Sequence, residues 1–277
     1  MSAPVRLDAD LLRSFPLPPL SEDGDKEDRG RALVIAGSAE LPGAAILAGI
    51  AALSAGAGKL QIVTEQSVAV AIGAAVPEAR VIAGSPLAHV REAQSVTLGC
   101  GMTPGADLDR LLAALLGCGA ETPLVLDAAA LGCLPAVAEA VRAWRGGVAL
   151  LPHAGEMARL LECDSEAVEI DPLSAVRLAA DRYRAVALVK GRFTHIAAPG
   201  GRAFRFAGGG IGLATSGSGD VLAGIVGGLA ARGADVLTAT LWGVWLHGEA
   251  GRVLTKRVGR VGFLAREIAA LVPGLLP

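Results

Sequence analysis

From Ala32 onward the chain alternates short β-branched runs with alanine-rich helical patterns, and this rhythm restricts the fold more than any other feature of the sequence. "ALVIAG" precedes an apolar helical stretch from Gly43 to Ala57, and "KLQIVT" precedes a short helix. "ARVIA", "SVTLG", a helix from Asp107 and "PLVLD" follow. Strands interleaved with helices build a mostly parallel sheet covered by helices on both faces. The runs "GVALL", "AVALVK" and "THIAA" extend that sheet. Only "GRF" separates the last two, too little chain for a crossover helix, so the pair predicts an antiparallel hairpin at one side. Beyond the glycine-rich segment at Gly212 the chain reads as helices to its end. No linker, repeat or low-complexity segment marks a second domain, so the expectation is a single α/β domain over residues 26–277 with residues 1–25 as an N-terminal extension.

Composition narrows the partners. Of 277 residues 52% are hydrophobic but only 3% aromatic, so the core has to be built from Ala, Val, Leu and Ile. Lys and Arg total 25 against 27 acids, a formal net charge of -2 that offers neither a basic footprint for nucleic acid nor a polybasic membrane patch. Between Gly43 and Gly58 only Ile46, Leu47, Ile50 and Leu53 are large, and they share one helical face, which predicts a buried helix rather than a membrane span. The first thirty residues lack the apolar stretch of a signal peptide. Cys100, Cys118, Cys133 and Cys163 form no C-x-x-C pair or zinc spacing, as suits reduced thiols in the cytoplasm. A homo-oligomer is expected.

In open α/β sheets ligands sit beyond the carboxyl ends of the strands. "GSAELPGA", "GCGMTPG", "DAAAL", "PHAGE" and "KGRFT" each follow a candidate strand and should converge on one cleft. The segment "GLATSGSGDVLAGIVGG" adds a glycine-rich loop that opens a helix. Gly217, Ser218 and Gly219 let an anion approach the unpaired N–H groups of the helix start, so they read as an anion hole. Val221, Leu222, Ile225, Val226 and Leu229 recur at helical spacing and put Asp220 in the first turn. There it could be a general base facing the anion or a helix cap and nothing more. Lys190 and Thr194 could likewise offer a cation and a hydroxyl to a phosphate around a bend permitted by Gly191, or belong to a solvated hairpin turn. His153 and Glu156 open another helix, where an acid complements the dipole without any ligand. His89, His195 and His247 have no partners at metal-ligand spacing and read as surface or satisfied core histidines, and no metal ligands are assigned. P-loop, Rossmann and nucleophile-elbow signatures are all missing.

Taken in order, "GSAELPGAAILAGIAALSAGAGKLQIVT", "LGCGM", "VLDAAAL", "LPHAGEMARL", "LVKGRFT" and "SGSGDVLAGIVGG" resemble the NAD(P)H-hydrate dehydratases of the ribokinase-like superfamily, from about Lys26 to the C-terminus. The resemblance implies a ribokinase-like domain that uses ADP or ATP with Mg²⁺ to restore NADH and NADPH from their hydrates. It places hydrate binding on Ala44, Gly101, His153 and Asp220, and nucleotide binding on Lys190, Gly191, Arg192, Phe193, Thr194 and Gly219. The chain departs from the family pattern at Cys100 and Ala154, where proline is usual, and at Gly210, where asparagine is frequent. A serine, Ser216 or Ser218 according to register, replaces a glycine of the family's G-G-T-G-D run. The implied chemistry has Asp220 take the proton of the ring hydroxyl while the loop N–H groups stabilise the transferred phosphoryl group. The ring nitrogen lone pair then expels phosphate.

Three other readings use the same residues. A small-molecule kinase of the superfamily would leave a stable phosphate ester, and a non-catalytic nucleotide-binding module would turn nothing over. A NAD-dependent oxidoreductase lacks its fingerprint here.

Overall fold

The computed structural model describes residues 3–21 and 23–277. Ten strands form one sheet: β1 (Val5–Leu7), β2 (Arg31–Ile35), β3 (Lys59–Thr64), β4 (Ala79–Ala83), β5 (Ser95–Leu98), β6 (Leu124–Leu126), β7 (Val148–Leu150), β8 (Val186–Val189), β9 (Thr194–Ala197) and β10 (Ala203–Phe206), in the order β1-β10-β9-β8-β7-β6-β5-β2-β3-β4. From β4 to β8 every neighbouring pair is parallel, as alternation with helices requires. The expected hairpin is present, with Val189 opposite His195 and Leu188 opposite Ile196.

Two strands escape the sequence pattern. β10 pairs antiparallel with β9, and β1 pairs in parallel with β10, Arg6 standing opposite Arg205. Both are short, and each has an arginine at its centre that breaks the apolar run. Residues 5–7, within the segment read as an extension, therefore close one edge of the sheet.

Successive residues of the central strands serve opposite cores. Ala32 and Val34 join a core under the helices Pro42–Ser54, Ser218–Ala231, Val236–Arg257 and Ala265–Leu271. Leu33 and Ile35 join a second core with Ala106–Leu116, Ala154–Leu161 and Pro172–Tyr183. Helices thus cover both faces of a sheet whose middle strands are buried on each side.

The Pro42–Ser54 helix is buried, but not by its large residues. Ala44, Ala45, Ala48, Gly49, Ala51 and Ala52 are its buried positions, whereas Ile46, Leu47, Ile50 and Leu53 are only partly covered. The reason is its neighbour, because a Cβ at Gly224 or Gly228 of the Ser218–Ala231 helix would collide with the carbonyls of Ala48 and Ala52. Two helices this close admit only Ala and Gly between them, which explains how the core manages with so few aromatic rings. Gly224→Ala should accordingly lower stability by about 2 kcal/mol, the scale of overpacking against backbone that cannot give way. Chemical denaturation checks this, and a variant as stable as the parent would mean the helices separate freely.

Strand order reverses its direction of growth between β2 and β5, whose following segments leave the sheet to opposite sides. Such a switch point opens a crevice at the carboxyl ends of the strands. Here the loop after β2 meets the loop after β5, and the Gly37 N–H donates to the Cys100 carbonyl at 2.8 Å.

Candidate active site

Each loop that leaves a central strand brings one group to this crevice. Gly101, after β5, has φ +62°, and a Cβ there would collide with the Cβ of Ala44 at the start of the Pro42–Ser54 helix. Ala44 and Gly101, both expected to contact the hydrate, are therefore touching neighbours. After β6 stands Asp127, 2% exposed, followed by Ala128 at φ 49°, ψ -121°, a conformation costly for a residue with a side chain.

After β7, His153 caps the Ala154–Leu161 helix. Its Nδ1 accepts from the N–H groups of Gly155 and Glu156 at 3.1 and 3.4 Å, and Glu156 reciprocates by accepting from the His153 N–H at 2.9 Å. Ala154 is the first helical residue, where proline is also well accommodated, so this departure from the family pattern leaves the turn intact. After β8, Lys190 pairs by backbone with His153, and its Nζ lies 2.9 Å from Asp127 Oδ1.

The sixth contribution comes from the opposite direction. Gly217, at φ +83°, turns the chain into the Ser218–Ala231 helix, and a Cβ at that position would collide with Leu47. No acceptor within the described residues meets the N–H groups of Gly219 and Asp220, whereas that of Ser218 donates to the Thr215 carbonyl at 3.2 Å. Gly219 is bare toward the ion pair: a Cβ there would sit 3.4 Å from Lys190 Nζ and 3.6 Å from Asp127 Oδ2. Free helix-start donors, a lysine ammonium and the Asp220 carboxylate thus border one space. Gly210, upstream, has φ +76° and ψ 169°, a region that is open to glycine and strained for any residue with a side chain, so this chain takes a backbone path there that asparagine would not favour.

The electrostatics follow from burial. Burial, reinforced by the Asp127 carboxylate and opposed by a hydrogen bond from Cys100 and by Lys190, raises the Asp220 carboxyl to about 6. It remains ionised at neutral pH yet is basic enough to take a proton. Burial disfavours the Lys190 ammonium, but Asp127 outweighs that and moves Lys190 upward, so the cation persists. Burial also raises Asp127 itself against the pull of Lys190. Cys100, fully buried between Asp127 and Asp220, has its thiol pushed well up, first by burial and then by the two carboxylates, and stays protonated.

Not every expected residue enters the crevice in the way its motif suggested. Gly191 has no positive φ and room for a side chain, so the bend does not depend on glycine. Arg192 and Phe193 are exposed on the hairpin, where the Phe193 ring lies under the Arg205 guanidinium at 4.5 Å, and Thr194 opens β9 opposite Phe206. Of the three histidines without an assigned role, the half-buried His247 has hydrogen-bond partners, whereas Nδ1 of His89 and of His195 is buried without one among the described residues. His247 Nε2 lies 2.9 Å from Ser218 Oγ and 3.0 Å from the Ser218 carbonyl oxygen.

Asp127 and His247 are the site-bordering residues to which sequence reasoning gave no role. Asp127 stood in "DAAAL", a cluster already read as following a strand, and its position at the strand end was the available signal. His247 lies 29 residues from Ser218 on another helix, and no spacing rule connects them. Among the described residues no group of His, Cys, Asp or Glu is arranged to hold a metal on its own, and no helix is long and apolar enough to cross a membrane.

The NAD(P)H-hydrate dehydratase family model matches residues 32–273. The ADP-dependent (S)-NAD(P)H-hydrate dehydratase of Xanthomonas campestris pv. campestris is 46% identical over 97% of this chain and 94% of that protein. The protein of the same name from Neisseria meningitidis serogroup B is 37% identical over 90% of this chain and 86% of that one. Among solved structures, the ADP/ATP-dependent NAD(P)H-hydrate dehydratase from Bacillus subtilis co-crystallized with ATP/Mg²⁺ superposes with a TM-score of 0.86 at 28% identity, covering 98% of this chain and 97% of that one.

Proposed function

The chain belongs to the NAD(P)H-hydrate dehydratase family, and from that premise we propose that its crevice uses ADP or ATP to dehydrate the S epimer of hydrated NADH and NADPH, with Asp220 as general base. The observation that carries the residue-level reading is the placement of Asp220, ionised but raised to about 6, beside unpaired helix-start N–H groups and the Lys190 ammonium. A base and an anion site side by side are what phosphorylation of a hydroxyl requires.

The hydrate carries its hydroxyl on a ring carbon next to nitrogen. Asp220 takes the hydroxyl proton as the oxygen attacks the terminal phosphorus of the nucleotide, and the nucleotide departs one phosphate shorter. The N–H groups of Gly219 and Asp220, with the Lys190 ammonium, stabilise the charge on the phosphoryl oxygens. The ring nitrogen lone pair then expels phosphate, and loss of a proton from the adjacent ring carbon restores the dihydronicotinamide. Ala44 and Gly101 form one wall for the hydrate, with His153 at the end of the neighbouring strand. The hairpin residues Lys190 to Thr194 and Gly219 take the nucleotide.

Mg²⁺ asks for only one or two carboxylates when phosphate oxygens supply the rest of its shell. Asp127 Oδ2, on the side of the pair that faces Gly219, meets that requirement, so the chain fits an ion that arrives on the nucleotide. When bound, the ion neutralises phosphate charge.

Incubation with chemically prepared hydrate, nucleotide and Mg²⁺ tests the reading. The near-ultraviolet absorbance of the dihydronicotinamide should return, with inorganic phosphate released in equal amount. A persistent phosphate ester without recovered absorbance would move the chain to the kinase branch of the superfamily, and recovery without nucleotide would refute the phosphorylation step.

A further inference from the structure

We propose that His247 is a positioning residue for phosphoryl transfer: through its Nε2–H it holds both oxygens of Ser218, so that the Ser218 hydroxyl proton and the N–H groups of Gly219 and Asp220 are presented to the transferred group. The inference rests on the reading of the Gly217–Gly219 loop as the anion site. His247 sits within the Val236–Arg257 helix, and that helix packs against the one that begins at Ser218. Its Nε2 is 3.0 Å from a carbonyl oxygen, which can only accept, so this nitrogen must be the protonated one. The same N–H reaches Ser218 Oγ at 2.9 Å. A hydroxyl oxygen that accepts from the imidazole directs its own proton elsewhere, and no acceptor for that proton lies within the described residues.

Every polar atom of Ser218 outside the helix ladder is thereby restrained, its N–H by the Thr215 carbonyl and its two oxygens by His247. Ser218 is 5% exposed and stands between the left-handed Gly217 and the bare Gly219, which have no side chains to hold the turn. A loop made of glycine for close approach needs an anchor beneath it, because flexible donors lose the advantage of preorganisation. Burial, together with the nearby Lys190 charge, depresses His247 to about 4 against the stabilising Ser218 hydrogen bond, which keeps the imidazole neutral and does not add a second cation to the loop.

The test compares His247→Leu, His247→Gln, Ser218→Ala and the His247→Leu/Ser218→Ala pair for kcat, for KM of the hydrate, and for affinity toward ADP and a non-hydrolysable ATP analogue by calorimetry. His247→Leu should lower kcat about 10- to 100-fold, somewhat less than outright removal of an oxyanion donor at roughly 10²–10³. Nucleotide affinity should weaken several-fold while KM for the hydrate moves less than about twofold. Glutamine can place an amide N–H where Nε2–H stands, so His247→Gln should recover to within about threefold of the parent. The double variant should be no worse than its worse parent, since both substitutions break one contact. Glutamine failing as badly as leucine while melting like the parent, or losses that multiply in the double variant, would overturn the proposal. Should the leucine variant not fold, His247→Gln against Ser218→Ala decides the same point. If the parent binds nucleotide but never restores the dihydronicotinamide, the dehydratase reading fails, and the nucleotide affinities of the variants still decide whether His247 anchors the loop.

Discussion

Asp220→Asn should bind nucleotide at least as tightly as the parent and turn over roughly two to four orders of magnitude more slowly, the range for loss of a general base. The replacement is nearly isosteric, and the helix start around it is held by Gly217, Thr215 and His247 rather than by the carboxylate. Removing one negative charge from the anion site also removes repulsion toward the phosphates. A base must be ionised to act, so parent activity should rise tenfold per pH unit below about 6, where burial and Asp127 have placed Asp220, and level off above it. The residual activity of Asp220→Asn should lack that limb. Rate measurements from pH 4.5 to 8 on both proteins check the assignment. A variant within threefold of the parent, or one that keeps the limb near pH 6, would make Asp220 a cap and leave the base unassigned.

Lys190→Ala should weaken nucleotide binding by about 1.5–3 kcal/mol, the scale of a charge-assisted hydrogen bond, and also cost stability. The second effect arises because Lys190 is the ion-pair partner of a carboxylate only 3% exposed at its side chain. Stripping a buried charge of its partner costs about 3–5 kcal/mol, and the 24% exposure of Lys190 reduces this to about 2–3 kcal/mol. The pH dependence has a definite sign. Burial already holds Asp127 above its unfolded value, and loss of the ammonium raises it further. A carboxyl raised on folding contributes stability that is fully present below its unfolded pKa and is lost as pH rises through the folded one. The Lys190→Ala variant should therefore approach the parent in stability in acid and fall away from it toward neutral pH. Adding Asp127→Asn should restore much of the stability and none of the nucleotide affinity. Denaturant titrations at pH 5 and 8, with calorimetry of nucleotide binding, separate the two losses. A stability deficit that the second substitution does not relieve would mean that Lys190 supports the fold through something other than Asp127.

The catalytic and structural parts of Lys190 could not have been separated from "KGRFT" alone, and the reason extends to the rest of the molecule. Alternation of β-branched runs with helical patterns was sufficient to determine a mostly parallel sheet, its antiparallel hairpin and the convergence of the post-strand loops, because each follows from local periodicity and connection length. Local chemistry likewise put Asp220 in a first helical turn after a glycine loop. The two outermost strands on that side, β1 and β10, left no comparable trace, since three or four residues interrupted by arginine are too few to show a period, and it is pairing, of β10 with β9 and of β1 with β10, that makes them strands. Nor could spacing reveal that the deepest face of the Pro42–Ser54 helix is its alanine side, a consequence of how near Gly224 and Gly228 approach. Tertiary structure alone decided that Asp127 lies under Gly219 and against Lys190, 63 positions away in the chain, and that His247 meets Ser218 from another helix. A residue's type and place in its own element are written in the sequence. Its desolvation and its partner across the fold exist only once the chain has packed, and these are what raise Asp220 to about 6 and hold His247 neutral.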